Sequence, residues 1–327
     1  MSETTRRAYE VVVVGGGPGG LTAALYTTRL GHETALVDRG GGRAAMMQDT
    51  HNVIGVPESV SGNEFLQTAR EQLEGYGADL VRDFVTDLQR DGDGFVLETA
   101  GGDRYLAERV VLATGFSDER PDPPLPRTGR GLHYCLHCDA EMFLDESVYV
   151  MGHGDSAAQV AMIMLNFTDE VDLLLDGDEP TWSGDTERQL RGHPVDVVPE
   201  EVVGVTNGED GWLESLEFAD GTVREYRGGF AMYGASYNSD LAAGVGADLT
   251  ADGQVVVDDH GRTSVDGLYA VGDLTPGHNQ IPVAMGDGAR VGIDVHYGLR
   301  TYPKSLEELA AEGAVDDATA VPSPGDD

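Results

Sequence analysis

The residues in this chain best suited to chemistry are Cys135 and Cys138, in the stretch His133-Tyr134-Cys135-Leu136-His137-Cys138-Asp139; the chain has no other cysteine. Two intervening residues at a helix start let both sulfurs bridge without strain, and the helix N-terminus lowers a thiol pKa. A carboxylate next door, Asp139, can shuttle the proton that exchange releases or consumes. His137 could stabilise a thiolate or serve as a base; a partly exposed imidazole with no duty fits it equally well. His133, Cys135, His137 and Cys138 could also be read as four zinc ligands. They crowd one short segment, however, whereas structural zinc sites draw on two separated pairs, so no metal is assigned.

The dithiol lies between two glycine-rich turns that define the surrounding elements. Glu10–Val14 reads as a buried strand, Leu21–Leu30 as a helix and Thr34–Val37 as a second strand ending at Asp38. Gly15, Gly17 and Gly20 hold the G-x-G-x-x-G spacing of a dinucleotide βαβ unit, with Pro18 inside the turn. The glycines allow the tight turn, the approach of a pyrophosphate and close helix–strand packing, and Asp38 stands where a carboxylate takes ribose hydroxyls. A second unit repeats the design. Ser147–Val150 is a strand, Gly152-His153-Gly154-Asp155-Ser156-Ala157 carries G-x-G-x-x-A, and Val171–Leu175 ends at Asp176.

Ser61–Gly75 reads as a helix. Phe84–Gln89, Gly94–Thr99, Arg104–Ala107 and Arg109–Leu112 read as short strands, the last ending in Ala113-Thr114-Gly115. Val202–Val205, Leu213–Phe218 and Thr222–Tyr226 make another small antiparallel sheet. Leu268–Val271 is a strand ending at Gly272-Asp273, and Val283–Leu299 a closing helix. The expected class is α/β: two Rossmann-like, doubly wound nucleotide-binding domains, the second inserted in the first, each with a small antiparallel element. Residues 1–117 and 245–312 form the first domain, 118–244 the second, and 313–327 an acidic disordered tail.

Composition narrows the function classes. The 327 residues carry a net charge of −37, and Lys304 is the sole lysine. Acid spread along the whole chain fits a salt-rich, halophilic cytoplasm, and it excludes nucleic-acid or anionic-membrane binding through a basic face. No run of about 18 apolar residues is present and no signal peptide opens the chain, so the expected location is cytoplasmic. Two cysteines in a reducing compartment favour a catalytic or sensing pair.

Together these motifs resemble the low-molecular-weight thioredoxin reductase family of flavoproteins, over about residues 9 to 300. The likeness rests on Gly15–Gly20, Ala113-Thr114-Gly115, Cys135-x-x-Cys138-Asp139, the Gly152 turn, and Gly272-Asp273 followed by Gln280 and Gly286-Asp287-Gly288-Ala289. The resemblance implies a homodimer with an FAD domain split around a pyridine-nucleotide domain. It implies that Gly15, Gly17, Gly20 and Asp38 bind the ADP half of FAD. Asn52 and Gln280 would lie near the flavin ring, Gly115 beside the FAD, and Asp273 at its ribityl or phosphate region. Cys138 would face the flavin, Cys135 would attack an external disulfide, and Asp139 would be the acid–base group. The partner implied is a thioredoxin-like protein or a small disulfide or dithiol. A hinge is expected near Ser117–Pro126 and Tyr233–Leu241.

The pattern breaks after the second unit's second strand. Members that use NADPH carry a basic cluster there for the 2′-phosphate. This chain reads Val171-Asp172-Leu173-Leu174-Leu175-Asp176-Gly177-Asp178-Glu179-Pro180, which repels a phosphomonoester. Three alternatives stay open. Asp176 takes the 2′-hydroxyl of NADH, with Gly152 and Gly154 at its pyrophosphate. Or the site has decayed and a ferredoxin-like protein is the donor. Or electrons flow outward from a dithiol through flavin to oxygen, as in dithiol oxidases. A non-catalytic flavin redox sensor is the competing class. His278, where an arginine commonly precedes the glutamine, is a candidate flavin-side group.

Overall fold

The computed structural model describes residues 6–314. The part of the expected tail from residue 315 onward lies outside the described residues. The chain forms two main sheets, and the expected α/β class with two Rossmann-like units is what is found.

The first sheet runs in the order Asp79–Val81, Thr34–Val37, Arg6–Val14, Arg104–Leu112, Gly94–Thr99, Val85–Asp91, with Leu268–Ala270 also on Arg104–Leu112. Val11, Val12, Val13 and Val14 are all buried because this strand is covered on both faces, the situation that produces an unbroken apolar run. Each such side chain contributes about 1.5–3 kcal/mol of burial.

Arg104–Ala107 and Arg109–Leu112, expected as two strands, are one strand that changes partner. Phe95 pairs antiparallel with Ala107, whereas Leu268 pairs parallel with Val110. Glu108, between the two halves, gave the apolar pattern its apparent break. The first helix, Pro18–Arg29, starts earlier than expected, with Pro18 in its first turn. It packs against the closing helix Ile281–Leu299, where a Cβ on Gly288 would meet the Gly19 carbonyl at 2.2 Å. Ser61 caps the helix Gly62–Gly75 through a capping box with Glu64.

The second sheet is wholly parallel, in the order Asp196–Val198, Val171–Leu174, Val148–Met151, Gly228–Ala231, Leu132–His133. Beside it stands an antiparallel sheet of Val202–Asn207, Leu213–Phe218 and Val223–Glu225. The chain passes between the main sheets twice, and the two passages pair. Phe116–Asp118 runs antiparallel to Ala235–Tyr237 as a two-stranded ribbon. Among the described residues, no helix is long and apolar enough to cross a membrane.

Candidate active site between the two sheets

A cavity of about 590 Å³ opens where the C-terminal ends of the first sheet's parallel strands meet the inserted unit. That volume is in the usual range for a small-molecule or cofactor site, and strand ends are where α/β sheets bind ligands. The turn Gly15, Gly17, Pro18 and Gly20 lines it, with Asp38, Asn52, Thr114, Gly115, Gly272, Asp273, Gln280, Cys135, Cys138 and Asp139.

The glycine turn is built as a cradle. Gly15 has φ +107°, and a Cβ there would lie 2.3 Å from the Ala113 carbonyl oxygen. A Cβ on Gly17 would meet nothing within 4 Å, which leaves open space at the start of the helix for a phosphate. Asp38 lies against this turn: a Cβ on Gly16 would be 2.5 Å from its Oδ2. Arg70 donates to the same oxygen at 2.9 Å, so Oδ1 remains for a hydroxyl. Cavity size, cradle and carboxylate together fit the adenosine-diphosphate half of FAD.

At the other end, Cys135 and Cys138 form a disulfide. Cys135 precedes the short helix Leu136–Asp139, and its carbonyl accepts from the N–H groups of Cys138 and Asp139 at 3.2 and 3.3 Å. Gln280 caps the closing helix from the opposite wall. Its Nε2 lies 3.5 Å from Cys135 Sγ and 3.8 Å from Cys138 Sγ, and its Oε1 accepts from Asn52 Nδ2 at 2.8 Å. An amide from the first unit therefore touches the redox pair of the second. The cysteines are thus bonded to each other, and His133 to Asp139.

Two residues that the sequence did not single out, and one that it offered only as a zinc ligand, belong to the site. Arg43 donates to Asp118 at 2.8 Å, approaches Asp273 at 3.8 Å and stacks on Phe116 at 4.5 Å. Burial pushes the Asp273 carboxyl up, and Arg43 opposes that rise. Its signal in the sequence was a lone cation after Gly40-Gly41-Gly42. Asn238 exchanges hydrogen bonds with Thr114, accepting Oγ1–H at 2.7 Å on its carbonyl and donating Nδ2–H to the Thr114 carbonyl at 2.9 Å. His133 is buried and bonds Asp139 through Nδ1 at 2.7 Å. His137, open to a thiolate role or to none, is exposed and outside the cavity lining, as is His278.

The second glycine turn does not line this cavity, and it is arranged differently from the first. Asp176 has φ +54° and accepts the Val202 N–H at 2.8 Å, turned toward the small sheet. Burial raises its carboxyl despite that hydrogen bond, with Glu201 and Asp178 adding to the rise. Thr181 occupies the approach to the turn: its N–H bonds the His153 carbonyl at 2.8 Å, and its Oγ1 would lie 3.8 Å from a Cβ on Gly154. Asp155, at the helix start, accepts from Ser183 N at 3.0 Å and from Thr186 Oγ1.

A dinucleotide cradle facing a redox disulfide across one cavity defines a flavoprotein disulfide oxidoreductase of the thioredoxin-reductase type. Residues 9–288 match the model of the pyridine nucleotide-disulphide oxidoreductase family, and the chain belongs to that family. It is 30% identical over 321 residues to the thioredoxin reductase of Peptoclostridium litorale, covering 93% of this chain and 99% of that one. The crystal structure of thioredoxin reductase from Streptococcus pyogenes superposes with a TM-score of 0.81 at 28% identity, covering 89% of this chain and 98% of that chain. The Lactococcus lactis thioredoxin reductase in its FR conformation, also 28% identical, gives 0.57 over 88% of this chain and 98% of that chain. Equal identity with unequal superposition means that such chains occur in more than one overall arrangement.

Proposed function

We propose that the protein exchanges electrons between FAD and a thioredoxin-like thiol partner through Cys135 and Cys138, with a donor other than NADPH or NADH. The observation that carries this reading is the contact of Gln280 with both sulfurs, in a wall shared with the Gly15–Gly20 cradle. FAD bound there supplies a two-electron store. Gly15, Gly17, Gly20 and Asp38 hold its ADP half, and Asn52, Thr114, Gly115, Asp273 and Gln280 lie along the remainder.

In this reading Cys138 is the sulfur that communicates with the cofactor, and Cys135 attacks the partner's disulfide to form a mixed disulfide. Cys138 then resolves it, releasing the partner as a dithiol and re-forming the Cys135–Cys138 bond. Asp139 carries one of the protons. The ribbon of Phe116–Asp118 and Ala235–Tyr237 is the hinge about which the inserted unit turns to present Cys135. The two superpositions with thioredoxin reductases support such a movement.

The second dinucleotide turn is read as a structural remnant. A 2′-phosphate would meet Asp178 and Glu179. Asp176 is spent on Val202, and Thr181 stands at the approach. An anaerobic titration of the flavin absorbance in molar salt tests this. Bleaching by dithionite or a dithiol, and by neither NADH nor NADPH, is expected. Stoichiometric bleaching by NADH would overturn the remnant reading and give Asp176 to a ribose.

A further inference from the structure

We propose that His133 is a positioning residue for Asp139, holding one carboxylate oxygen so that only the other exchanges a proton with the redox pair. This deepens the function proposed above and rests on Asp139 being the acid–base group there.

The geometry begins with the strand Leu132–His133 at the edge of the second sheet. It places the His133 ring under the segment that carries the cysteines, 4% exposed. Nδ1 lies 2.7 Å from Asp139 Oδ2, and Nε2 is buried with no hydrogen-bond partner among the described residues. The walls around the ring are aromatic. Phe143 meets it edge-on with centroids at 5.3 Å, Phe230 at 6.0 Å, and Trp212 stacks at 6.4 Å.

A neutral imidazole carries one N–H. Facing a carboxylate, that proton belongs on Nδ1, which leaves Nε2 as a bare lone pair. A second proton would put an N–H donor on Nε2 against aromatic rings, and a buried unsatisfied donor costs more than it returns. With its proton on Nδ1 the ring donates to Oδ2 and asks for no partner at Nε2. Oδ2 stays occupied, and a proton arriving at the carboxylate goes to Oδ1.

The demand on that oxygen follows from the balance. Reducing the disulfide breaks one S–S bond and forms two S–H bonds, taking two electrons from the flavin store and two protons. Asp139 delivers one proton from Oδ1 and water supplies the other; when the disulfide re-forms both are released, one to Asp139 and one to the water that protonates the partner's thiolates. The other groups facing the pair are few. Tyr134 follows the strand in a bend, Cys138 lies on the short helix, and the Tyr149 phenol donates to Gly131 at 2.7 Å. Arg227, beside the strand that carries Phe230, reaches His133 only through Trp212, lying 4.2 Å over that ring.

The test compares His133→Leu, His133→Asn and Asp139→Asn by two readings. One is the pH profile of disulfide reduction. The other is the pH profile of thiol alkylation in the reduced protein, measured with and without FAD. Asparagine keeps a donor near the position of Nδ1; leucine does not. His133→Leu is expected to slow reduction about tenfold. It is also expected to move both profiles toward those of Asp139→Asn, because a carboxylate with neither oxygen held is free to turn away from the pair. His133→Asn is expected to restore the rate to within about threefold, the loss of one imperfect hydrogen bond. Wild-type profiles in His133→Leu with an impaired Asp139→Asn would overturn the role of His133 alone. An unimpaired Asp139→Asn would overturn the acid–base reading beneath it. If His133→Leu does not fold, His133→Asn behaving like Asp139→Asn overturns the inference by itself. If neither His133 variant folds, ¹⁵N-labelled histidine in the wild type decides: an Nδ1 without its proton overturns it.

Discussion

Asp38 and Asp176 end the second strands of two repeated units, yet only Asp38 lies against its glycine turn. The carboxylate of Asp38 is 2.5 Å from where a Gly16 side chain would begin, whereas that of Asp176 accepts the Val202 N–H at 2.8 Å. Two copies of one architecture therefore differ in where the acid after the second strand points.

The Asp176 contact makes a stability prediction. Asp176→Ala leaves a part-buried N–H unpaired and puts a Cβ at φ +54° with no side-chain hydrogen bond to offset it. The expected cost is about 1–3 kcal/mol by urea unfolding in molar salt. Burial raises this carboxyl, so the folded state binds the proton more tightly than the unfolded chain does. Its contribution is present at low pH and is lost as pH rises through the unfolded value of about 3.9 toward the folded one. Asp176→Asn keeps the acceptor and sheds the charge, so at neutral pH it should match or exceed the wild type. A large loss in Asp176→Asn would contradict this account.

Arg43 joins the first unit to the ribbon. Arg43→Ala strands Asp118 and leaves the raised Asp273 without its counter-charge. The expected loss is about 3 kcal/mol of stability, together with weaker FAD retention. Arg43→Lys should recover little, because an ammonium cannot both stack on Phe116 and reach two carboxylates. Denaturation midpoints and flavin content after gel filtration measure both effects.

His32 bonds Glu10 through Nδ1 and His296 through Nε2, each at 3.0 Å. Burial and the neighbouring His32 lower the His296 pKa. A lowered histidine binds fewer protons folded than unfolded. Stability is unaffected above the unfolded value near about 6.5 and declines as pH falls below it. His296→Gln removes that titration, so the gap between variant and wild-type melting temperatures should move in the variant's favour from about pH 7 to about pH 5. A gap independent of pH would remove this pair from the acid sensitivity.

Each cysteine has its own signature. Cys135→Ser should abolish turnover of a protein disulfide while Cys138 still responds to the flavin's redox state. Cys138→Ser should abolish both, leaving Cys135 able to hold a stable mixed disulfide with the partner. Full turnover in Cys135→Ser would end the proposed mechanism. Mass spectrometry of trapped adducts, read with flavin absorbance, separates the two cases.

Much of this was legible in the chain itself. Glycine spacing, the strands before it and the acids after it are local features, so both dinucleotide turns and the Cys-x-x-Cys segment could be read from order alone. Arg104–Leu112 was misread as two strands because its two halves serve different neighbours, and the Glu108 interruption reflects that exchange of partners. The ribbon of Phe116–Asp118 and Ala235–Tyr237 left no local mark, because three-residue strands carry no usable period.

Sequence by itself determined the chemistry on offer: a dithiol with an adjacent acid, a dinucleotide cradle, and a second turn stripped of arginine. Tertiary structure decided which residues meet. It set Gln280 against a disulfide more than a hundred residues away, put His133 on Asp139, and turned Asp176 to a backbone amide. Hydrogen bonds form across space between atoms about 3 Å apart, and residue order specifies such approaches only after the strands have paired and the cores have closed.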